Sequence, residues 1–402
     1  MHVRRQSVRN TAATAAAVMA LSALVACGGS TSSAGAACLD GKVKIGALLP
    51  LSGPAAGFGQ GTHQAMQFAV AEANDAGGID VGGETCDVEL VDYDTKGTAE
   101  QASTGMNKLI SQGTKIVWGP QLSQEVTSVQ QIAQRNKVLF VHSSYAVNGL
   151  SPEMPLVFAM ATTASSFAGP MADWVSTTYP DVSKVAIVIP DNQGGQDTAK
   201  IDKEAYSDAG IEAEVSAFPE GTADFAPFIG RLLRSGPGII DVASTPPGDA
   251  AVIIKQLRQA GFDGPIGRIG GEATSAIIKA VGSAEGLGEF FYYAALDVNS
   301  EPIKTYFAQF EKKFDKEPLP VSAQVLPVAR LLLRAIDEAD STDAEEVAEV
   351  LENMEIDDPT MGTAVWGGED FYGIDHEFIV DFFAGRYRDG ELTLTPLDAT
   401  DG

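Results

Sequence analysis

Histidine and cysteine are scarce in this chain of 402 residues, which contains four histidines and three cysteines. The histidines beyond the N-terminal segment, His63, His142 and His376, are far apart in sequence and lack the spacing of metal ligands. The sequence also has no Gly-x-Ser-x-Gly nucleophile motif. We therefore expect no metal site and no catalytic residue, and these shortages disfavour an enzyme.

Basic residues are outnumbered two to one, with 27 Lys and Arg against 54 Asp and Glu, which gives a formal net charge of −27. Three of the arginines and no acid lie in the first 26 residues, so removal of that segment would give −27 − 3 = −30. A charge of this sign repels nucleic acid and anionic lipid. After residue 26, no apolar run approaches the ~20 residues that a membrane-spanning helix needs.

The first 26 residues have the organisation of a secretory signal. A basic start precedes an apolar, alanine-rich stretch over 11–26. The run LVAC at 24–27 resembles the bacterial lipobox, which implies that Cys27 becomes the lipid-modified first residue; an ordinary secretory signal is the alternative. We expect residues 27–37 to form a lipid tether and linker. The protein would then be exported to the cell surface or periplasm and anchored to the membrane at Cys27.

Two cysteines remain in the mature chain, Cys38 and Cys86, and each lies just before a predicted strand. If the two strands are parallel neighbours, both cysteines lie at the same edge of the sheet. An oxidising compartment favours disulfides. We therefore predict a Cys38–Cys86 disulfide, with two unpaired buried thiols as the alternative.

Short β-rich runs alternate with amphipathic stretches along most of the chain, a pattern typical of parallel sheets covered by helices. The length favours two α/β lobes, each with a Rossmann-like parallel sheet. A helix-rich tail predicts that the chain returns to the first lobe and then to the second. The predicted lobes are 38–160 with 297–366, and 161–296 with 367–402, joined by a three-crossover hinge that permits closure.

Ligands of open parallel sheets bind beyond the carboxyl ends of the strands. Six loops at these ends are candidates, and their hydroxyls, aromatic rings and free N–H groups suit a small polar ligand with an anionic end. The first loop, PLSGPAAGFG, lies within a long glycine-rich segment, 50–61, that precedes the helix predicted from 62 and that we expect to form a pocket wall. The candidate ligand-binding residues in these loops are Phe58, Gln121, Ser123, Ser144, Tyr145, Ala146, Asp191, Gln193, Thr245 and Glu272.

The opening of the mature chain, VKIGALLPLSGPAAGFGQGTHQAMQFAVAEANDAGGIDVGG, is similar to that of the extracellular leucine/isoleucine/valine-binding proteins of ABC importers. The later runs IVWGPQLSQEV, AAVIIKQLRQAGFDGPI and MGTAVWGG support the resemblance. It implies a type I periplasmic binding protein with two lobes and no cofactor. It also implies a monomer that closes on a small solute and delivers it to ABC permease and ATPase subunits.

The resemblance assigns roles to individual positions. Ser123 falls where the family holds the substrate carboxylate, and the backbone around Ser144 and Tyr145 would complete that anion site. Phe58 falls where an aromatic ring contacts the ligand side chain. Glu272 matches the acid that faces the α-ammonium group of amino acids.

Four positions depart from the amino-acid binders. Ala146 replaces a threonine, Ala164 replaces an acid that meets the ammonium group, and Gly194 and Pro246 each replace a tyrosine. The pocket should therefore be larger. We expect a ligand bulkier than leucine, or an amide or small carboxylate, in place of a plain branched-chain amino acid.

Plainer roles remain open for the same residues. Ser123 could only cap a helix, Phe58 could belong to the core, and Glu272 could be an acid favoured by a helix dipole. Asp191 and Gln193 could cap the helix that follows them.

For the function of the whole chain, a sensor of the same fold is one alternative. A dinucleotide-binding enzyme is a weaker alternative, because the loop predicted from Pro50 to Gly61 is too long for a pyrophosphate turn.

Overall fold

The computed structural model describes residues 38, 40–271 and 273–400. The predicted signal, the tether with Cys27, and Glu272 lie outside the described residues. Within them, no helix has both the length and the apolar character needed to cross a bilayer.

The first part of the chain alternates strands and helices around one sheet. Its elements are β1 (Lys42–Leu49), α1 (Ala56–Asp75), β2 (Ile79–Val81), β3 (Glu84–Asp94), α2 (Ala99–Ser111), β4 (Ile116–Trp118), α3 (Ser123–Asn136), β5 (Leu139–His142) and β6 (Val157–Ala159). The buried faces of β1, β4 and β5 are almost wholly apolar, as expected for parallel strands covered on both sides.

The second part repeats this alternation around another sheet. Its elements are α4 (Ala164–Thr178), β7 (Lys184–Pro190), α5 (Gln193–Asp208), β8 (Glu212–Phe218), α6 (Ala226–Arg234), β9 (Ile239–Asp241), α7 (Pro247–Gln259), β10 (Ile266–Arg268), α8 (Thr274–Val281) and β11 (Phe290–Ala294).

The chain then returns to the first sheet and ends on the second. The returning elements are α9 (Glu301–Phe314), α10 (Val321–Ala339), α11 (Ala344–Asn353), β12 (Ile356–Asp358), β13 (Gly362–Gly367), α12 (Glu369–Tyr372) and β14 (Glu377–Val380). The closing hairpin consists of β15 (Phe382–Arg388) and β16 (Glu391–Leu397).

The strand order is the same at the centre of both sheets. The first sheet runs β12-β13-β14-β6-β5-β4-β1-β3-β2 and the second runs β16-β15-β11-β10-β9-β7-β8. Strands β3-β1-β4-β5-β6 and β8-β7-β9-β10-β11 are parallel and share the order 2-1-3-4-5. The predicted α/β fold of two mostly parallel sheets with three crossovers is therefore confirmed. We call each sheet with its packed helices the first and the second lobe.

The third crossover lies later than the sequence suggests. The predicted division puts residues from 367 onward in the second lobe, but β14 pairs with β13 and β6 of the first sheet. The change of sheet therefore occurs at Asp381, between β14 and β15. The difference arises because EFIVDFF reads as one continuous strand in sequence, whereas its two halves join different sheets.

The glycine-rich loop after β1 is shorter than predicted, because α1 begins at Ala56 and not near residue 62. Gly57, Phe58, Gly59 and Gly61 therefore lie in the first turns of the helix. A Cβ on Gly59 would collide with the main-chain oxygen of Pro50, and one on Gly61 would collide with Val321 of α10. These two glycines allow close packing of α1, and the long pocket-wall loop inferred for this segment is not observed.

Strands β1 and β3 are parallel neighbours, with Val43 opposite Val88. This pairing brings Cys38 and Cys86 to the same edge, where their Cα atoms are 6.2 Å apart. That separation lies within the range of disulfide-bonded cysteines.

Candidate ligand-binding site

A cavity of about 300 Å³ lies between the lobes, at the carboxyl ends of both sheets. Its wall includes residues from the loops after β1, β4 and β5 in the first lobe and after β7, β9 and β10 in the second. These are the six loops that the sequence predicts. Both lobes contribute at the point where the strand order reverses, which is where open α/β sheets place their ligands.

The amino end of α3 forms the polar end of the first-lobe wall. Ser123 and Gln124 line the cavity in the first turn, where main-chain N–H groups have no acceptor within the helix. The Leu122 N–H donates to Glu125 Oε2 at 3.1 Å. Burial raises the pKa of Glu125, and its hydrogen bonds act in the opposite direction. Because Glu125 performs the capping, Ser123 faces the cavity without having to cap α3 through its side chain.

A buried histidine fixes the loop after β5. The Ser144 N–H lies 3.2 Å from His142 Nδ1, while His142 Nε2 lies 3.3 Å from the Gly149 carbonyl oxygen. Burial lowers the pKa of His142 to about 4, so the imidazole is neutral at neutral pH. Nε2 then donates to Gly149 and Nδ1 accepts from Ser144. The neutral ring orients Ser144 and its cavity-lining neighbours, Ser143 and Tyr145.

Gln121 places an amide group in the same wall. Its Nε2 donates to Thr62 Oγ1 at 2.6 Å and to Ser143 Oγ at 3.3 Å. The Oε1 atom is buried and has no hydrogen-bond partner among the described residues. An acceptor in this position is suited to a donor group of a bound solute.

Arg268, at the end of β10, brings a guanidinium group to the second-lobe wall. The side chain is 2% exposed. Its Nε donates to the Gly271 carbonyl oxygen at 2.8 Å and its Nη1 to the Thr245 carbonyl oxygen at 2.7 Å. Arg268 is not among the residues predicted from the sequence, although an arginine in the apolar run PIGRIGG was a detectable signal.

Two acids lie near Arg268 beneath the cavity. Asp241 accepts from Tyr206 Oη at 2.7 Å and from the Ala243 N–H at 2.7 Å, whereas both carboxylate oxygens of Asp202 lack partners among the described residues. Burial raises the pKa of both carboxyl groups, and the charge of Arg268 lowers it. The guanidinium group therefore offsets negative charge within the lobe as well as facing the cavity.

Several predicted site residues line the cavity and others do not. Phe58, Gln121, Ser123, Ser144 and Tyr145 are part of the wall. Ala146, Asp191, Gln193 and Thr245 are not among the described wall residues.

The residues outside the wall have other contacts. Thr245 is fully buried, and its hydroxyl donates to the Val188 carbonyl oxygen at 3.0 Å. Its neighbours Ser244 and Pro246 line the cavity instead. Asp191 and Gln193 are exposed, and neither caps α5. Asn192 caps that helix by accepting from the Gly195 N–H at 2.9 Å.

The departures from the amino-acid binders occupy different environments. Gly194 and Pro246 line the cavity, so the absence of larger side chains there adds space. Ala164 is fully buried at the start of α4 and is not among the described wall residues. Glu377 lies nearby and accepts from the Thr163 N–H at 2.6 Å and from Ser166 Oγ at 2.8 Å.

The crossovers and the returning segment supply a wall that the sequence analysis missed. It is mostly apolar and consists of Met160, Ala161, Thr162, Val321, Gln324, Val325, Met361, Phe378 and Val380. Sequence patterns could not identify it, because its members become neighbours only where the chain passes between the lobes.

Aromatic rings connect the lobes at the cavity. Tyr145 of the first lobe packs edge-to-face on Phe167 of α4, with ring centroids 5.6 Å apart. Phe167 stacks on Tyr293 of β11 at 4.0 Å. Tyr145 and Tyr293 both line the cavity, so the site has an aromatic surface in contact with both lobes.

Two like lobes around a shared cleft of mixed polarity define a type I two-lobed solute-binding protein. A family model described as periplasmic binding protein matches residues 42–391. The chain belongs to this family of binding proteins, which is not a family of enzymes.

Curated relatives match over most of their length. The leucine-, isoleucine-, valine-, threonine- and alanine-binding protein of Pseudomonas aeruginosa is 26% identical over 324 residues, which cover 79% of this chain and 84% of that protein. Leu/Ile/Val-binding protein homolog 3 of Brucella melitensis is also 26% identical, covering 81% of this chain and 87% of that protein.

Solved structures show the same fold. An isoleucine-bound transporter protein from Streptococcus pneumoniae has a TM-score of 0.73 and 21% identity, covering 90% of this chain and 99% of that chain. A benzoate-bound solute-binding protein from R. palustris has a TM-score of 0.73 and 16% identity, covering 90% and 98%.

Proposed function

We propose that this protein is the substrate-binding lipoprotein of an ABC importer. It captures a small polar solute between its lobes and delivers it to the permease. The observation that carries the proposal is the cavity between the two lobes, since closure around a solute would enclose it within surfaces that only both lobes together provide. A ligand drives closure only if it binds the closed form more tightly than the open form.

The wall chemistry supports a solute with separate polar and apolar parts. Hydroxyls, the Gln121 amide and the guanidinium group of Arg268 suit polar groups, and an anionic group would be favoured near Arg268. The crossover wall and the rings of Phe58, Tyr145 and Tyr293 suit an apolar body. The solute is an amino acid, an amide or a small carboxylate, and the space at Gly194 and Pro246 favours one bulkier than leucine.

The similar proteins include binders of amino acids and a binder of a small carboxylate. Leucine, isoleucine and valine occur in the names of the curated relatives, and benzoate occupies the R. palustris protein. A thermal-shift screen over amino acids, amides, aromatic acids and polyols would identify the class. Tight binding of leucine, isoleucine or valine, with no larger solute binding better, would refute the bulkier ligand.

Glu272 remains a proposed partner for an ammonium group. If the solute carries a buried ammonium group, Glu272→Gln should weaken binding by about 2–5 kcal/mol, the usual cost of truncating one member of a buried pair. The same variant should leave binding of a solute without nitrogen unchanged. Equal affinities of wild type and variant for the natural solute would assign Glu272 a structural role.

We propose that the chain is exported, lipidated at Cys27 and bridged between Cys38 and Cys86. Mass spectrometry of protein from the native host would detect the lipid on an N-terminal Cys27. An unmodified Cys27 inside a longer mature chain would contradict the anchor. The Cys38–Cys86 bridge is supported by the Cα separation of 6.2 Å.

If the protein delivers its solute to a permease, uptake of that solute should depend on this protein. Neighbouring genes for two permeases and two ATPases, and loss of solute uptake on deletion of this protein, would support transport. Unimpaired uptake with loss of a transcriptional response to the solute would instead support a sensor.

Small-angle scattering should show compaction when the solute binds, and an unchanged radius of gyration would contradict hinge closure.

A further inference from the structure

Asp197 brings a carboxylate of the second lobe to the start of α3. Gly194, Gly195 and Thr198 of α5 line the cavity. Asp197 is not itself among the described wall residues, but it follows Gly194 by three residues and therefore lies on the same face of the helix. A Cβ built on Gly194 would be 3.8 Å from Ser123 Oγ, so this face of α5 lies against the first turn of α3 across the cleft.

The Asp197 carboxylate is buried and incompletely satisfied. Its residue is 4% exposed, and Oδ1 accepts from Gln193 Nε2 at 2.7 Å. The Oδ2 atom is buried and makes no well-formed hydrogen bond in the described part of the chain. Burial raises the pKa of this carboxyl group, while Gln193, the Val147 main-chain N–H and the Ser123 hydroxyl lower it. The last two groups belong to the first lobe and therefore act on Asp197 across the cleft.

The carboxylate changes what the start of α3 can bind. A helix amino end with a serine hydroxyl ordinarily favours an anion. Here the second lobe already supplies a negative charge at that position, and a second carboxylate beside it would be repelled. A buried oxygen that only accepts hydrogen bonds is instead stabilised by a donor.

We propose that Asp197 is a specificity-determining residue that reserves the Ser123 end of the cavity for a solute group that donates hydrogen bonds. An ammonium group or a carboxamide NH₂ fits this end, and a carboxylate does not. The proposal rests on the proposed function, since it specifies the solute chemistry within the same cleft. It also replaces the expectation, drawn from the sequence resemblance, that Ser123 holds the carboxylate of the solute.

Three probes with the same isobutyl body test the charge preference: leucine, leucinamide and 4-methylpentanoate. Titration calorimetry should show that wild type binds leucinamide more tightly than 4-methylpentanoate. Asp197→Asn should shift this affinity ratio toward 4-methylpentanoate by at least about tenfold, the size of a typical change in a close charge contact. The control Asp191→Asn removes the same charge from an exposed position near the start of α5. It should leave the ratio within about twofold, because exposed charges are screened.

A ratio that Asp197→Asn leaves unchanged, or that Asp191→Asn shifts equally, would overturn the proposal. A double-mutant cycle of Ser123→Ala and Asp197→Asn gives a second readout that needs no solute. The melting temperature of the double variant should differ from the sum of the single shifts by about 2 °C or more, as expected for residues in contact. Additive shifts would also overturn the proposal. If no probe binds wild type, solutes of leucine size are excluded from the proposed range, while the cycle still tests the Ser123–Asp197 contact on which the specificity proposal depends.

Discussion

Gly271, in the loop after β10, lies directly against the ring of Tyr145, which the opposite lobe supplies. A Cβ on Gly271 would be 2.8 Å from Tyr145 Cε2, and the residue has a φ of +120°. The absence of a side chain at Gly271 therefore allows Tyr145 to lie across the cleft and reach Phe167. This relationship connects the shape of one second-lobe loop to the contact between the two lobes.

Replacing Gly271 with alanine should weaken solute binding by about tenfold or more, because a rigid ring cannot yield to the new methyl group without disturbing the closed lobes. Gly282→Ala is the matched control, since Gly282 has a φ of +111° and open space around its Cβ position. Both variants should lose some stability through backbone strain. Calorimetric titration should find weakened binding only in Gly271→Ala, and equal affinities in the two variants would contradict the cleft contact.

Alanine at Gly61 should lower the free energy of unfolding by about 1–3 kcal/mol, because its Cβ would collide with Val321 where α1 packs on α10. Gly57→Ala, in the same helix but with open space, should instead raise stability by ~0.5 kcal/mol through better helix propensity. Urea unfolding of the two variants measures both effects. Similar changes in the two would show that propensity, and not close packing, governs this segment.

Replacing Arg268 with glutamine should weaken binding of anionic solutes by at least about tenfold, since a buried charge contact is typically worth more than 1.4 kcal/mol. It should also destabilise the fold by about 3 kcal/mol, because Asp241 and Asp202 lose their compensating charge. Calorimetry and urea unfolding measure the two effects. The control Arg231→Gln removes an exposed guanidinium group of the same lobe and should change neither. Unchanged affinity in Arg268→Gln would place the anionic group elsewhere.

Stability should fall as pH decreases from about 6.5 to about 4, in part because of His142. Its pKa is lowered to about 4 in the folded protein from an ordinary 6.5, so the unfolded chain binds a proton first on acidification. The stabilisation is present above pH 6.5 and amounts to about 3 kcal/mol. Urea unfolding across this interval should give a shallower pH slope for His142→Gln than for wild type. His63→Gln serves as the control, and identical slopes in all three proteins would exclude this role for His142.

Replacing Cys86 with serine should lower the free energy of unfolding by about 2–4 kcal/mol if the cysteines are bridged, because the cross-link closes a segment with a sequence separation of 48. Reduction of the wild-type protein should produce a loss of the same size. Thiol titration of unfolded, lipid-free mature protein should detect no free thiol at Cys38 or Cys86. Two free thiols, with stability insensitive to reductant, would contradict the bridge.

The sequence predicted the fold well where local patterns repeat. The alternation of strands and helices identified both parallel sheets, and the carboxyl-end rule identified the six loops that border the cavity. Ser123 and Tyr145, which the resemblance places at the ligand, lie in two of these loops and line the cavity. Asp191 and Gln193 satisfied the same pattern but lie outside the cavity wall, and Gln193 Nε2 donates to Asp197 Oδ1 instead. Position in a loop does not fix the direction of a side chain.

Other features depended on contacts between distant segments. The glycines at 57–61 indicated a loop in sequence, yet they lie in α1, where Gly59 and Gly61 allow close packing on Pro50 and Val321. Arg268 and Asp197 were not predicted as site residues. The surroundings of Arg268 come from buried groups of its own lobe, and those of Asp197 come in part from the first lobe. The apolar crossover wall joins residues separated by more than 200 positions, from Met160 to Val380.

The sequence by itself determined the two-lobed α/β class, the family and the loops that border the cleft, because hydrophobic periodicity and turn residues act over a few positions. The tertiary structure alone decided which side chains line the cavity, where the third crossover occurs and which charges meet across the cleft. Those properties depend on long-range packing and burial, which bring Asp197 to Ser123 and Tyr145 to Gly271 from opposite lobes.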